Sequence, residues 1–377
     1  MDRPIAELTV RTPAKLNLFF EVLGKRTDGY HEVDALFLPI DLRDTLRAEI
    51  LPTTAAAAAK EDFLRLTTFD FLGRDISDCV PARLNLVYRA ASLLARRTGC
   101  RVPTRLTLVK TIPSQAGLGG GSSDAAAALY LLNRLWQTGL SRAELSSLGA
   151  RLGSDVPLFF TPGLSRGRGR GEIIEPLFAV GPLWFVLFKP NVGLSTADVY
   201  GALRCPAECQ AGTECQVNTE CQVNTECQAS AEQTSDRRLP ERLIAALADG
   251  DAGASAIVPE LFNRLEEPAC RLCPELRRVA RAFEAAGAPG ARMTGSGTTF
   301  YYPCCDFSAA RGLADRLSEV LVSQSFVGDL FLTSACSGGR ESFAECRSDV
   351  LFEAPFYWRG INDGNHRGRN TLGDGAE

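Results

Sequence analysis

Apolar and polar residues alternate from Ala14 to Val22, with Ala14, Leu16, Leu18, Phe20 and Val22 on one side and Lys15, Asn17, Phe19 and Glu21 on the other. That period of two predicts a half-buried strand. Gly24 to Gly29 reads as a turn and Tyr30 to Ile40 as a second strand. The spacing of Leu86, Arg89-Ala90 and Leu93-Leu94 predicts a helix over Asn85 to Arg97, and Thr104 to Val109 is a third strand. An apolar helix covers Ala125 to Trp136. Ser141-Arg-Ala-Glu144 is a capping box ahead of Leu145, Leu148 and Leu152 at helical spacing. Gly163 to Gly171, rich in arginine, is expected to be an exposed loop.

Leu183 to Phe188 has the pattern of a buried strand opening another domain. Helical stretches follow near Leu239–Ala248, Ile257–Glu266 and Pro274–Ala286. Met293 to Phe300 is a tight glycine loop entering a strand at Thr299–Tyr302. Ala309–Val322 then predicts a helix and Gly328–Thr333 a last strand. The expected organisation is a first domain over 1–176, a second over 177–336 interrupted by a low-complexity insertion at 205–236, and a loosely ordered tail over 337–377. The insertion carries the repeat Thr-Glu-Cys-Gln-Val-Asn, which puts Cys209, Cys215, Cys221 and Cys227 six apart. No histidine lies nearby, and the spacing is not that of paired zinc ligands.

Composition narrows the function little. A chain of 377 residues with 45% hydrophobic and 23% charged residues is an ordinary globular protein of about two domains. Its net charge of -4 gives no general pull toward nucleic acid or an anionic membrane. Met1 to Glu7 lacks the apolar core of a signal peptide, and Pro176 to Phe188 is too short to span a bilayer. The expectation is a cytoplasmic protein.

The chemistry concentrates at Pro113 to Ala128, where Gly117, Gly119, Gly120 and Gly121 occupy four of five positions. Glycine brings the backbone close to a ligand and reaches the dihedrals that turn several N–H groups toward one point. Ser122, Ser123 and Asp124 are helix-starting residue types before the apolar stretch. A glycine loop feeding a helix N-terminus favours phosphate. Two common phosphate loops do not fit. The P-loop requires a lysine where Ser122 stands, and a dinucleotide fingerprint starting at Gly117 meets the same serine at its third glycine and lacks the following strand.

With these motifs the chain resembles the GHMP kinases over residues 10–335, the repeat standing as an insertion. The resemblance is carried by Pro13-Ala-Lys-Leu-Asn-Leu18, Pro113 to Ala127 and Arg292-Met-Thr-Gly-Ser-Gly297. Gly29-Tyr-His31, Asn85-Leu-Val and Leu152-Gly-Ser-Asp-Val-Pro-Leu-Phe159 narrow it further, toward an acceptor bearing cytidine diphosphate. It implies a two-domain α+β architecture, the N-terminal domain like domain 2 of ribosomal protein S5 and the C-terminal domain ferredoxin-like.

It also implies ATP-dependent phosphorylation, with Mg²⁺ shielding the phosphates, of the 2-hydroxyl of 4-diphosphocytidyl-2-C-methyl-D-erythritol in the non-mevalonate route to isoprenoid precursors. Lys15 and Asp155 would be the catalytic pair. Pro113, Ser114, Gln115, Ala116, Gly117, Leu118, Gly119, Gly120, Gly121, Ser122 and Ser123 would hold the ATP phosphates, with Lys110 and Asn85 also on the nucleotide. Asn17 would meet the acceptor, Tyr30 would stack on its cytosine, His31 would hydrogen-bond the base edge, and Tyr200 would be the second aromatic. The partner is a small molecule, with neither nucleic acid nor membrane, and the protein a monomer or weak homodimer. No metal ligands are assigned.

Read from the residues alone, Asp155 is equally an N-cap before Val156-Pro157, and Lys15 is more readily a solvated position on a strand face than a catalytic group. A kinase for another small alcohol, such as homoserine or mevalonate, and a non-catalytic nucleotide-binding protein are the competing functions.

Overall fold

The long alternating segment at the start of the chain forms a hairpin. In a computed structural model describing residues 4–52, 63–203, 238–249, 253–336, 343–346 and 357–361, β1 (Ala6–Lys25) and β2 (His31–Ile50) pair antiparallel from Ala6↔Ile50 to Lys25↔His31. Bulges fall between Pro13 and Ala14, Asn17 and Phe19, and Val22 and Gly24. The middle one breaks the strict alternation, so Leu18, Phe19 and Phe20 are all buried. The strand is therefore buried on both faces and not half-buried as its pattern predicts.

The sheet continues through β4 (Thr104–Lys110), antiparallel to β2, and β3 (Leu64–Asp70), parallel to β4. Helices α1 (Leu86–Thr98), α2 (Gly120–Leu135) and α3 (Arg142–Ala150) follow. Asn85 caps α1 by accepting the Val87 N–H at 2.9 Å, and the expected Ser141–Glu144 capping box opens α3. The arginine-rich stretch expected as a loop is instead β5 (Leu164–Arg168), paired with β2 and with β6 (Ile173–Phe178). Gly167 is what admits it: a Cβ there would lie 2.3 Å from the Phe37 ring.

A second sheet is centred on β7 (Trp184–Pro190), flanked by β10 (Phe300–Cys304) and β11 (Gly328–Ser334), with β9 (Arg292–Met293) beyond β10. Its helices include α4 (Thr196–Gly201), α5 (Glu241–Ala248), α6 (Glu266–Leu272), α7 (Glu275–Ala285) and α8 (Phe307–Ser323). The two-residue β8 (Phe262–Asn263) pairs with β1 at Phe19–Phe20. One apolar cluster joins Ala14, Leu16, Leu18 and Phe19 to Phe185, Leu187, Tyr301 and Phe331, so the two sheets share a core.

The expectation of a loose tail is corrected in two places. β12 (Ala344–Cys346) pairs with β1 at Thr9–Arg11, and β13 (Tyr357–Ile361) pairs with β11. Unpaired strand edges offer a row of hydrogen-bonding groups, which these two short strands satisfy. Phe343, just ahead of β12, is buried against Tyr130 and Phe160. The cysteine repeat lies outside the described residues. Among the described residues no helix is long and apolar enough to cross a membrane.

Candidate active site

β1 brings Lys15 and Asn17 to the floor of a cleft of about 1360 Å³ between the two sheets. Lys15 is 3% exposed, so the solvated-strand reading fails. Its Nζ donates to Asn17 Oδ1 and lies 3.8 Å from Asp155 Oδ2. Burial pulls the ammonium below its ordinary pKa, while the Asp155 carboxylate pushes it back up. Asp155 is no helix cap: the residue before the short turn Pro157–Phe160 is Val156, and no side chain caps it. The carboxylate faces the cleft and Lys15 instead.

The glycine loop arches over this pair. The Lys15 N–H donates to Leu118 O at 2.9 Å, which ties the loop to β1. Gly117 and Gly119 have φ of +73° and +71°, and Gly119 is the N-cap of α2. The helix therefore starts ahead of Ser122, Ser123 and Asp124, which occupy its first turns. The cleft is lined by Pro113, Ser114, Gln115, Ala116, Gly117, Leu118, Gly119, Gly120, Gly121 and Ser122. Ser123 is not: fully buried, it donates to Pro13 O at 2.6 Å and meets the Thr12 hydroxyl, pinning α2 to β1.

Lys110 lines the cleft but is committed to two buried carboxylates. Its Nζ bonds to Asp44 Oδ2 and, at 2.7 Å, to Asp124 Oδ2. Asp44 Oδ1 accepts the N–H groups of Thr111 and Ile112 at 2.5 and 2.8 Å. The two carboxylates hold the ammonium above its ordinary value against the opposing effect of burial, which for its part raises Asp124 well above the usual carboxylate range. Asn85, besides capping α1, lies on the same wall.

At the other end, Tyr30 stands 56% exposed beneath the Arg170 guanidinium, 4.6 Å from its ring centroid. His31 and Tyr200 bring their rings to 4.9 Å at 30°, so the gap beside the sequence insertion does not separate Tyr200 from the site. Burial, and the Asp155 charge after it, raise the Tyr200 hydroxyl pKa.

The sequence reading missed several groups. Thr294 accepts the Asn17 N–H at 3.0 Å, and a Cβ on Gly295 would lie 3.3 Å from Lys15 Nζ, so the third glycine motif closes the floor. Asn263 holds that motif, donating to Met293 O and Gly295 O at 2.7 and 2.8 Å. Glycines in Thr294-Gly-Ser-Gly297 signalled the loop. Nothing local signals that Asp44, in mid-strand, meets Lys110.

Residues 85–163 match the family model of the GHMP kinases N terminal domain, and residues 233–323 that of the GHMP kinases C terminal domain. The 4-diphosphocytidyl-2-C-methyl-D-erythritol kinase of Pelotomaculum thermopropionicum is 38% identical over 85% of this chain and 98% of its own length. That of Symbiobacterium thermophilum is also 38% identical, over 82% and 95%. A crystal structure of 4-(cytidine 5'-diphospho)-2C-methyl-D-erythritol kinase aligns with a TM-score of 0.65 at 32% identity, covering 88% of this chain and all of the other. A homoserine kinase from Cytophaga hutchinsonii (17% identity, TM-score 0.61) shares the fold. With both domain matches in order and close relatives spanning nearly their full length, the chain belongs to the GHMP kinases, in the family of the 4-diphosphocytidyl-2-C-methyl-D-erythritol kinases.

Proposed function

We propose that this chain uses ATP to phosphorylate the 2-hydroxyl of 4-diphosphocytidyl-2-C-methyl-D-erythritol, with Lys15 and Asp155 as the reacting pair. The observation that carries the reading is their 3.8 Å approach beneath the glycine loop, in one cleft with Tyr30, His31 and Tyr200. The loop N–H groups and the α2 N-terminus bind the ATP phosphates. Asp155 orients the acceptor hydroxyl and takes its proton late, as a weak base does when phosphoryl transfer is largely positioning and charge stabilisation.

Lys15 offsets charge building on the transferred group. A unit charge at 4 Å and an effective dielectric of 20 is worth about 4 kcal/mol before desolvation. That ceiling is roughly a thousandfold in rate. Tyr30 and Tyr200 cover the cytosine, His31 meets its edge, and Asn17 contacts the polyol.

Mg²⁺ fits the donors on the phosphate side. Asp124 Oδ1 is buried without a hydrogen-bond partner, and the Ser122 hydroxyl lines the same wall. Mg²⁺ is usually held by one or two carboxylates together with substrate phosphates. Bound there, it would neutralise part of the phosphate charge. A division between domains at 176/177 would cut β6 (Ile173–Phe178), so we place it instead in the connection from Phe178 to Trp184, where the chain passes from the first sheet to the second.

The test is ATP consumption with the cytidine diphosphate acceptor, beside homoserine and mevalonate. Turnover confined to the first is expected. Turnover with homoserine or mevalonate in its place would reassign the acceptor, and none with any of the three would sink the kinase reading.

A further inference from the structure

The turn joining β5 to β6, Gly169-Arg170-Gly171, runs from Asp155 toward the aromatic end of the cleft. It is pinned at three points. The Val33 N–H donates to Gly169 O at 2.8 Å, the Gly169 N–H to Glu32 Oε1 at 3.1 Å, and the Arg170 N–H to Glu172 Oε2 at 2.6 Å. Gly171 passes the catalytic carboxylate so closely that a Cβ on it would lie 4.0 Å from Asp155 Oδ1. One residue earlier, Arg170 lays its guanidinium over Tyr30. Its side chain lines the cleft 31% exposed, with Nε 3.5 Å from Glu172 Oε1. One rigid turn thus touches both the reacting end and the base end of the acceptor path.

We propose that Arg170 binds the diphosphate bridge of the acceptor and selects for acceptors that carry it. The inference rests on the acceptor assigned above, in which two phosphates join the reacting polyol to cytidine. With the hydroxyl at Asp155 and the base at Tyr30, the diphosphate spans the stretch where Arg170 lies. A guanidinium presents paired N–H groups that match phosphate oxygens, and its planar face stacks on an aromatic ring at the same time. Other cations of the cleft are occupied elsewhere: Lys15 sits beside Asp155, and Lys110 between Asp44 and Asp124. Lys25, opposite His31 in the β1–β2 register, is a further basic residue at this end and supplies the comparison.

The experiment titrates the full chain with CDP and with cytidine by calorimetry, for the unaltered protein, Arg170→Ala, Arg170→Lys and Lys25→Ala, with thermal melts to check folding. Arg170→Ala is expected to weaken CDP about 10–100-fold, as for loss of a charge-assisted pair, and cytidine less than about threefold. Arg170→Lys should fall between, because it keeps the charge and loses the fork. In turnover, KM for the acceptor rises while KM for ATP holds.

Equal losses for CDP and cytidine would overturn the proposal, since Arg170 would then act only by packing on Tyr30. Unchanged CDP affinity in Arg170→Ala with a loss in Lys25→Ala would overturn it in favour of Lys25. If Arg170→Ala does not fold, a CDP-selective loss in Arg170→Lys supports the proposal, and an equal loss overturns it. An unaltered protein that binds neither CDP nor cytidine would instead sink the assignment of the acceptor.

Discussion

Lys15 Nζ and Asp155 Oδ2 stand 3.8 Å apart, yet only 4% of the Lys15 side chain is exposed against 33% of Asp155. The carboxylate is the half of the pair that a substrate can reach, and the ammonium is fixed behind it by Asn17. This asymmetry separates their expected roles. Asp155→Asn keeps the shape and removes the proton acceptor. Its kcat should fall about 100-fold or more, with KM for ATP within a few-fold. Steady-state kinetics on both substrates check this, and near-normal turnover would leave Asp155 as no more than a partner for Lys15.

The pH profile should carry the mark of Lys15. Burial depresses its pKa below the usual 10.5, and the charged form is the one that stabilises the transferred group. Activity is therefore lost as pH rises, and lost earlier than for an exposed lysine. The same shift means that the unfolded chain binds this proton more tightly, so this residue's contribution to stability rises with pH through that window. A kcat/KM profile flat to pH 10.5 would contradict the assignment. In Lys15→Arg, the alkaline limb due to this group should vanish.

The third motif and the glycine loop touch so closely that one methyl group should separate them. A Cβ on Gly117 would meet Thr294 O at 2.0 Å, and its φ of +73° already disfavours any side chain. Gly117→Ala should lower kcat/KM for ATP at least about tenfold and lower Tm as well. Gly181→Ala, where a Cβ meets nothing within 4 Å, should do neither, and the two variants can be compared in one melt and one assay.

Removing Lys110 leaves Asp44 and Asp124 buried without the cation they share. Lys110→Met should cost about 3–5 kcal/mol in denaturant unfolding near neutral pH. Its deficit should shrink as pH falls, because the folded variant then takes up a proton that relieves the charge. In the unaltered chain the raised lysine pKa means that its stabilisation is complete below 10.5 and disappears only as pH climbs through the elevated value. A deficit equal at pH 5 and pH 8 would argue against this account.

Phe343 is 4% exposed against Tyr130 and Phe160. Phe343→Ala should lower unfolding stability by about 3 kcal/mol while leaving KM for ATP and acceptor unchanged. A change in either KM would mean that the segment reaches the cleft.

What the sequence made legible follows from range. The capping box acts within a few residues and is found where its local chemistry predicts, whereas the glycine loop starts its helix at Gly119, three residues ahead of the Ser122-Ser123-Asp124 run that the sequence pointed to. Lys15 and Asp155 were nameable only through motifs, since alternation alone made Lys15 a solvated residue. Its burial comes from the second sheet packing on β1, a contact that no window of sequence contains. Asp44 with Lys110, Glu21 with Arg264, and Arg170 with Tyr30 are likewise pairings made by topology. The tail strands escaped notice because a polar, glycine-rich stretch hides three-residue and five-residue strands whose partners lie far away in the chain.

Those strands bear on how the protein is made. Arg11 pairs with Ala344 across more than three hundred positions, and Gly328 pairs with Ile361 on the other sheet. A ribosome delivers the first strand long before either partner exists. Until β12 and β13 emerge, the nascent chain presents an open edge on both sheets, each able to capture a strand from a neighbouring chain. Their emergence then caps both edges in quick succession, so a chain stopped at 336 would leave β1 and β11 as templates for aggregation.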